Sequence, residues 1–232
     1  MIAVTFALPQ ESRAFRRALK RPRASSAGPF VIGEVGRHEV ILAHTGVGLT
    51  AAEETTGVLL RAHGPRLVIA AGFAGGLDPG LVVGDLVLAT NFSAPDLLER
   101  SLPVADARSF FGPVTSQAWA LESVAHKADI ARATKALAVD METAAIAEKC
   151  NVAKVPLLAV RAISDTAKQA LPVPFDDWFD IEQQRPRPRQ LLAFLLKNPG
   201  RIVPFGGFVA GLPRCRRALT GFLLRFLGTL PQ

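Results

Sequence analysis

Two carboxylates stand at the start of an alanine-rich segment, AVDMETAAIAEKC (138–150), which is predicted to be helical. Asp140 and Glu142 lie directly before the apolar run. Carboxylates in a first turn accept hydrogen bonds from the free N–H groups of a helix and complement the positive end of its dipole. The same groups could instead belong to a binding site. The pair alone leaves both interpretations open.

Three glycine-containing turns follow predicted strands: residues 45–48 (TGVG), 71–77 (AGFAGGL) and 83–87 (VGDLV). Glycine lets the backbone approach a ligand closely, and successive N–H groups can bind oxyanions or sugar oxygens. The Rossmann G-x-G-x-x-G pattern and the P-loop lysine are both absent from these turns. Each turn is therefore compatible with a ligand without specifying one.

The elements that would position these residues alternate between short apolar runs and helical segments. Strands are predicted at 2–7, 39–45, 67–72, 84–89, 113–116, 137–140 and 156–163, and helices at 49–63 and 141–150. Residues 92–112 are predicted to form a loop with at most a short helix. This pattern predicts a single-domain α/β three-layer sandwich, with a central mixed, mostly parallel sheet flanked by helices.

Composition excludes several classes of protein. The 232 residues are 49% hydrophobic, but no uninterrupted apolar run approaches the roughly 20 residues of a membrane-spanning helix. The N-terminus has no basic leader, so a cytoplasmic protein is expected. The net charge is +7, yet the basic residues cluster near the two ends and are not interleaved with aromatics, so nucleic-acid binding is not expected. Cys150 and Cys215 have no nearby histidine at a zinc-binding spacing.

Five segments together resemble the purine and uridine phosphorylase family, and above all its methylthioadenosine/S-adenosylhomocysteine nucleosidase branch. They are ALPQE (7–11), TGVG (45–48), AGFAGGLDPGLVVGDLV (71–87), VDMETAAIA (139–147) and VRAISD (160–165). The combination of the last two, about 20 residues apart, is the most specific of these. The resemblance covers about residues 1–180 and favours a site at Glu142.

The resemblance implies a role for each of several residues. Glu142 would bind the ribose hydroxyls with Met141 packed against the sugar, because a carboxylate accepts two hydrogen bonds from a diol. Asp165 would pass a proton to N7 of the purine, with Ser164 orienting its carboxyl group. Glu11 would activate the attacking water. The implied substrate contacts are Phe175, which would cover the base or ribose, together with Phe73, Gly72, Trp119, Ala120, Thr45 and Gly46.

The sequence also departs from the nucleosidase pattern. Phe73 stands where these enzymes usually have serine, and the segment at 92–112 is shorter than theirs. The phosphorylase loop of Gly-Asp-Pro followed by Arg is missing, although Arg13 lies just beyond Glu11. Hydrolysis is therefore favoured over phosphorolysis. No cofactor is expected, with phosphate as the alternative co-substrate, and the resemblance implies a homodimer or a larger homo-oligomer acting on a small-molecule nucleoside.

A second resemblance, carried by residues 115–147 and by LLAFLLKNPGRI (191–202), is to the hopanoid-biosynthesis-associated phosphorylases. It implies an adenosylated hopane lipid as substrate. Residues 1–188 are predicted to form the nucleosidase-like domain. Residues 189–232 are predicted to form an amphipathic helical tail, either packed on the domain or facing a membrane through Arg214, Arg216 and Arg217 and the apolar residues at 219–227. A catalytically silent nucleoside-binding relative is the remaining alternative.

Overall fold

The computed structural model describes residues 1–231. Its strands are β1 (Ile2–Phe6), β2 (Lys20–Ala24), β3 (Val31–Val35), β4 (His38–His44), β5 (Val68–Gly76), β6 (Leu86–Ala89), β7 (Ser109–Gly112), β8 (Val114–Ser116), β9 (Ala138–Asp140), β10 (Leu157–Asp165), β11 (Phe179–Asp180) and β12 (Arg185–Pro186). Its α-helices are α1 (Pro9–Ala18), α2 (Leu49–His63), α3 (Pro95–Ser101), α4 (Val124–Thr134), α5 (Thr143–Val152), α6 (Pro188–Lys197) and α7 (Ile202–Thr229).

The first ten strands form one mixed sheet. Its main order is β2-β3-β4-β1-β5-β10-β6-β7, with β9 pairing both β5 and β8. The four central strands β4, β1, β5 and β10 run parallel, so their carboxyl ends meet at one edge. Open α/β sheets bind ligands at this edge. The remaining two strands, β11 and β12, form a separate short ladder.

Helices cover both faces of the sheet because successive side chains of a strand point to opposite sides. In β1, Ile2, Val4 and Phe6 face the layer that contains α1, α3 and α7, whereas Ala3 faces the layer that contains α2 and α5. Both layers are buried and apolar. The three-layer α/β sandwich with a mixed, mostly parallel sheet, predicted from the sequence, is confirmed.

The strongly patterned elements have nearly the predicted bounds. Helix 49–63 coincides with α2, which ends at Gly64 in a left-handed conformation with φ of 49°. The helix predicted at 141–150 starts two residues later, at Thr143. The loop predicted at 92–112 is only partly correct, because it contains α3 and also the edge strand β7. A four-residue edge strand has one pairing partner, β6, and hence a weak pattern in the sequence.

The C-terminal helix has two different halves. Its second half belongs to the hydrophobic core. The side chains that are fully buried against the sheet are Cys215, Leu219, Phe222, Leu223 and Phe226. Pro213 stands inside the helix near the junction. Of the two predicted alternatives for the tail, this half is therefore packed on the domain. The apolar residues at 219–227 do not form a membrane face, since those that repeat at helical spacing seal one face of the sheet.

Candidate active site

The pocket opens at the carboxyl edge of the parallel strands and has a volume of about 280 Å³. It brings together most of the side chains that the sequence singled out. Those that line it are Glu11, Phe73, Trp119, Ala120, Met141, Glu142, Ser164, Asp165 and Phe175. The carboxylates come from three separate parts of the chain, so only the tertiary fold makes them neighbours.

Asp140 holds the turn between β9 and α5. Its carboxylate pairs with the buried Arg161 guanidinium, with Nε to Oδ2 at 2.7 Å, and accepts hydrogen bonds from Ser116 Oγ at 2.5 Å and from the Thr143 hydroxyl and N–H. Breaking one side of a buried ion pair leaves a charge uncompensated and is strongly destabilising. Asp140 thus caps the helix and fixes the position of the next acidic residue.

Glu142 projects into the pocket and is 5% exposed. Its Oε1 accepts a hydrogen bond from the N–H of Gly48 at 2.9 Å, which ties it to the glycine turn after β4. Burial, together with the negative charge of Asp140, raises the pKa of Glu142 to about 8, although Arg161 opposes the shift. Burial thus favours the protonated form of this carboxyl group in the folded protein.

Glu11 lies in the first turn of α1, and both of its oxygens accept backbone hydrogen bonds. Oε2 accepts from the N–H of Leu8 and Oε1 from the N–H of Phe73, each at 3.0 Å. Burial raises the pKa of Glu11, and these hydrogen bonds and Arg161 partly offset that effect. A carboxylate with a raised pKa is a stronger base than an exposed one, as proton abstraction from water requires.

Asp165 ends β10 and forms an ion pair with Lys127. Ser164 Oγ donates to Asp165 Oδ1 at 2.6 Å, and the Lys127 ammonium donates to Oδ2. The same ammonium donates to the carbonyl oxygens of Thr166 at 2.9 Å and Gln169 at 2.8 Å, so its three N–H groups are all used. Lys127 is 1% exposed. Sequence reasoning missed it, although Lys127 shares a helical stripe with the partly buried Ile130 and Ala131.

Three of the sequence-predicted contact residues do not line the pocket: Gly72, Thr45 and Gly46. A Cβ on Gly72 would lie 2.2 Å from Arg161 Nη1, so this glycine makes room for the buried arginine and not for a ligand. The Thr45 hydroxyl donates to the backbone of Phe6 and Gly46. Gly46 has a φ of 80° and packs against Gln184.

Aromatic side chains also line the pocket. The rings of Phe175 and Trp178 meet edge to face with centroids 4.6 Å apart, and Phe175 N–H donates to Glu122 Oε1 at 2.7 Å. Trp119 lines the pocket yet is 62% exposed, so its indole stands at the opening.

An apolar part of the pocket wall is built by the C-terminal helices. Five side chains from α6 and α7 line it: Leu191, Phe205, Phe208, Val209 and Leu212. The last four recur at three- and four-residue spacings, which places them on one face of α7. No single motif marks this wall in the sequence, since it lies far along the chain from the acidic residues.

A family model described as the phosphorylase superfamily matches residues 1–104 and 96–196. The chain belongs to the phosphorylase superfamily. Curated relatives of this superfamily member include 5′-methylthioadenosine/S-adenosylhomocysteine nucleosidases. That of Staphylococcus epidermidis is 26% identical over 78% of this chain and 92% of the relative. That of Tolumonas auensis is 30% identical over 66% of this chain and 79% of the relative.

Solved structures similar to this phosphorylase-superfamily chain share its fold. The S-adenosylhomocysteine nucleosidase of Streptococcus pyogenes has a TM-score of 0.77 at 21% identity, covering 100% of this chain and 97% of that one. The futalosine hydrolase of Helicobacter pylori has a TM-score of 0.74 at 20% identity, covering 99% and 97%. The family resemblance and the enzyme class predicted from the sequence, nucleosidase or nucleoside phosphorylase, are confirmed.

The raised pKa of Glu142 predicts how stability depends on pH. Between pH 4.5 and about 8 the folded protein keeps a proton that the unfolded chain has lost, so raising the pH favours unfolding. Glu142→Gln cannot lose that proton. Its melting temperature should therefore exceed that of the native protein by an amount that grows with pH across this window. Thermal unfolding of both proteins, with the exposed Glu54→Gln as control, tests this. A difference that is constant with pH would contradict it.

Proposed function

We propose that the chain hydrolyses the N-glycosidic bond of an adenine nucleoside whose 5′ position carries a large apolar group. The observation that carries the proposal is that one pocket is lined both by Glu11, Glu142 and Asp165 and by apolar side chains of α6 and α7. The names of the curated nucleosidase relatives support the adenine nucleoside as substrate class.

The three carboxyl groups take separate roles. Water attacks C1′ of the ribose while Glu11 accepts a proton from it, and the electron pair of the C1′–N9 bond passes to the purine. Asp165, which is paired with Lys127 in the free protein, first takes up a proton from solvent and then gives it to N7, so adenine leaves neutral. Glu142 binds the ribose hydroxyls, and the positive charge that develops on the sugar favours the ionised form of its carboxyl group, which stabilises that charge. The products are adenine and the free 5′-substituted ribose.

Charge favours water over phosphate as the nucleophile. Among residues 1–231 no lysine or arginine lines the pocket. Two buried cationic side chains are already paired with carboxylates and are not free to bind phosphate: Arg161 pairs with Asp140, and Lys127 pairs with Asp165. A phosphate dianion would meet three acidic side chains and no cationic partner, and negative charges in a buried site repel strongly.

The apolar wall supports the size of the 5′ substituent. Phe205, Phe208 and Leu212 line the same pocket as the carboxyl groups, and an alkyl group placed against them leaves water for an apolar surface. An adenosylated hopane lipid, implied by the second sequence resemblance, has a 5′ group of this kind, and its cleavage by phosphate in hopanoid biosynthesis is the alternative function.

Product analysis on a panel of adenine nucleosides with 5′ groups of increasing alkyl length tests the proposal. We expect adenine and free sugar in equal amounts, at a rate independent of phosphate, with kcat/KM rising with chain length. Each buried methylene contributes about 0.8 kcal/mol, which corresponds to roughly a fourfold rise in kcat/KM. Ribose-1-phosphate formed with the adenine would move the chain to the phosphorylases. Binding of every nucleoside without adenine release would favour the catalytically silent alternative.

A homodimer and a cytoplasmic location remain expectations.

A further inference from the structure

We propose that the face formed by α6 and the first half of α7 docks on an anionic lipid bilayer and holds the mouth of the pocket at that contact. We call residues 188–214 the mouth hairpin. Docking itself does not depend on the reaction. Only its use, to receive a nucleoside with a lipid-like 5′ group, rests on the proposed function.

The mouth hairpin is apolar but unburied. None of its residues is buried in the described structure. Leu192 is 58% exposed, Leu196 71%, Val203 82%, Ile202 49% and Val209 43%. Leu192 and Leu196 are four residues apart on α6, and Ile202 and Val209 are seven apart on α7, so each pair shares one helix face. Such a cluster of exposed apolar side chains indicates an interaction surface.

The distribution of basic and acidic residues along the chain favours an anionic bilayer as the partner of this face. The chain has 27 Lys and Arg and 20 Asp and Glu, but residues 183–232 contain nine of the basic residues and none of the acidic ones. The preceding 182 residues therefore hold 18 basic and 20 acidic residues, a net charge of −2. The whole positive excess lies in the C-terminal segment. Basic residues beside an exposed apolar helix face favour anionic headgroups, with the apolar side chains among the acyl chains.

Charge also disfavours a second copy of the chain as the occupant. A twofold contact places the same surface on both sides of the interface. Arg189, Lys197 and Arg201 of the hairpin would then meet their own counterparts with no acidic residue of the hairpin between them. Within residues 1–231, no helix is long and apolar enough to cross a membrane. In the proposed contact, the helices of the mouth hairpin lie along the bilayer surface.

The hairpin is continuous with the pocket. Leu191 and Phe205 line the cavity, while their neighbours Leu192 and Val203 point to solvent. The exposed Trp119 stands at the same opening, and tryptophan is enriched where proteins meet the headgroup region. An apolar group in the bilayer could reach the pocket without crossing bulk water.

Co-sedimentation with vesicles tests the proposal on the full-length protein. One set of vesicles is phosphatidylcholine mixed with phosphatidylglycerol, and the other is phosphatidylcholine alone. The triple variant Leu192→Gln/Leu196→Gln/Val203→Gln changes exposed residues that do not line the pocket. Val152→Gln, 73% exposed on α5, is the matched control. The double variant Lys197→Gln/Arg201→Gln tests the charges.

We expect the native protein and Val152→Gln to bind the anionic vesicles and to be released by salt. The triple variant should bind roughly tenfold more weakly or worse, because three side chains no longer favour the acyl region. The double variant should lose much of the salt dependence. Failure of the native protein to sediment, or equal binding by the triple variant, would overturn the proposal. A native dimer that only the triple variant converts to monomer would assign the face to a second copy.

Discussion

Asp165→Asn should lower kcat for adenine release by about 10²- to 10⁴-fold, the usual contribution of a positioned general acid. Asparagine keeps the shape of the side chain, and its single amide oxygen can still accept a hydrogen bond from Ser164 or from Lys127, but it has no acidic proton to give to N7. Steady-state kinetics on the best substrate of the 5′ panel measures the effect.

The rate must be expressed per folded molecule, because Asp165→Asn also leaves the Lys127 ammonium without its counter-charge. Loss of one partner of a buried pair typically costs about 3–5 kcal/mol of unfolding free energy. Asp176→Asn, an exposed aspartate just after Pro174, is the control. Turnover of Asp165→Asn at the native rate would remove Asp165 from the mechanism.

Lys127→Met should lower kcat by about 10²-fold or more, although Lys127 does not line the pocket. Once Asp165 has given its proton to the purine, its carboxylate is buried, and the adjacent ammonium neutralises the charge that remains. Methionine fills a similar volume without that charge. Lys168→Met, an exposed lysine three residues after Asp165, is the control.

The double variant Lys127→Met/Asp165→Asn separates a catalytic pair from a merely structural one. If the two groups act as a unit, the double variant should be no slower than Asp165→Asn, because effects within a unit are not additive. It should also be more stable than either single variant, since neither charge is left alone in the core. Independent, multiplicative losses of rate would show that Lys127 acts elsewhere.

The edge of the sheet at which the site lies could be predicted from the sequence. Glu11 and Asp165 follow or end strands β1 and β10, which are long apolar runs that pack as central parallel strands, and parallel strands bring their carboxyl ends together. Periodicity also gave the helix that follows Glu142 to within two residues. The local sequence is enough to predict these elements, because the spacing of the apolar residues in each one determines which of its faces is buried.

The partners of the carboxylates could not be predicted in this way. Lys127 reaches Asp165 across 38 residues, and the apolar wall comes from a helix that starts 37 residues after Asp165. Gly72 looked like a ligand-binding turn, but the Arg161 guanidinium occupies the space beside it. In each case the deciding contact is tertiary, and nothing in the local sequence of either partner specifies the other.

A single helix, α7, forms both part of the pocket wall and part of the hydrophobic core, and this limits how the substrate range can change. Enzymes commonly vary specificity through surface loops, which accept insertions and deletions at little cost to the fold. Here the wall at Phe205, Phe208 and Leu212 continues without a loop into the buried residues from Cys215 onward. An insertion in the wall would rotate the outer half by about 100° per residue relative to the core half and turn the wall away from the pocket. Evolution or design must therefore reshape this mouth by substitution alone.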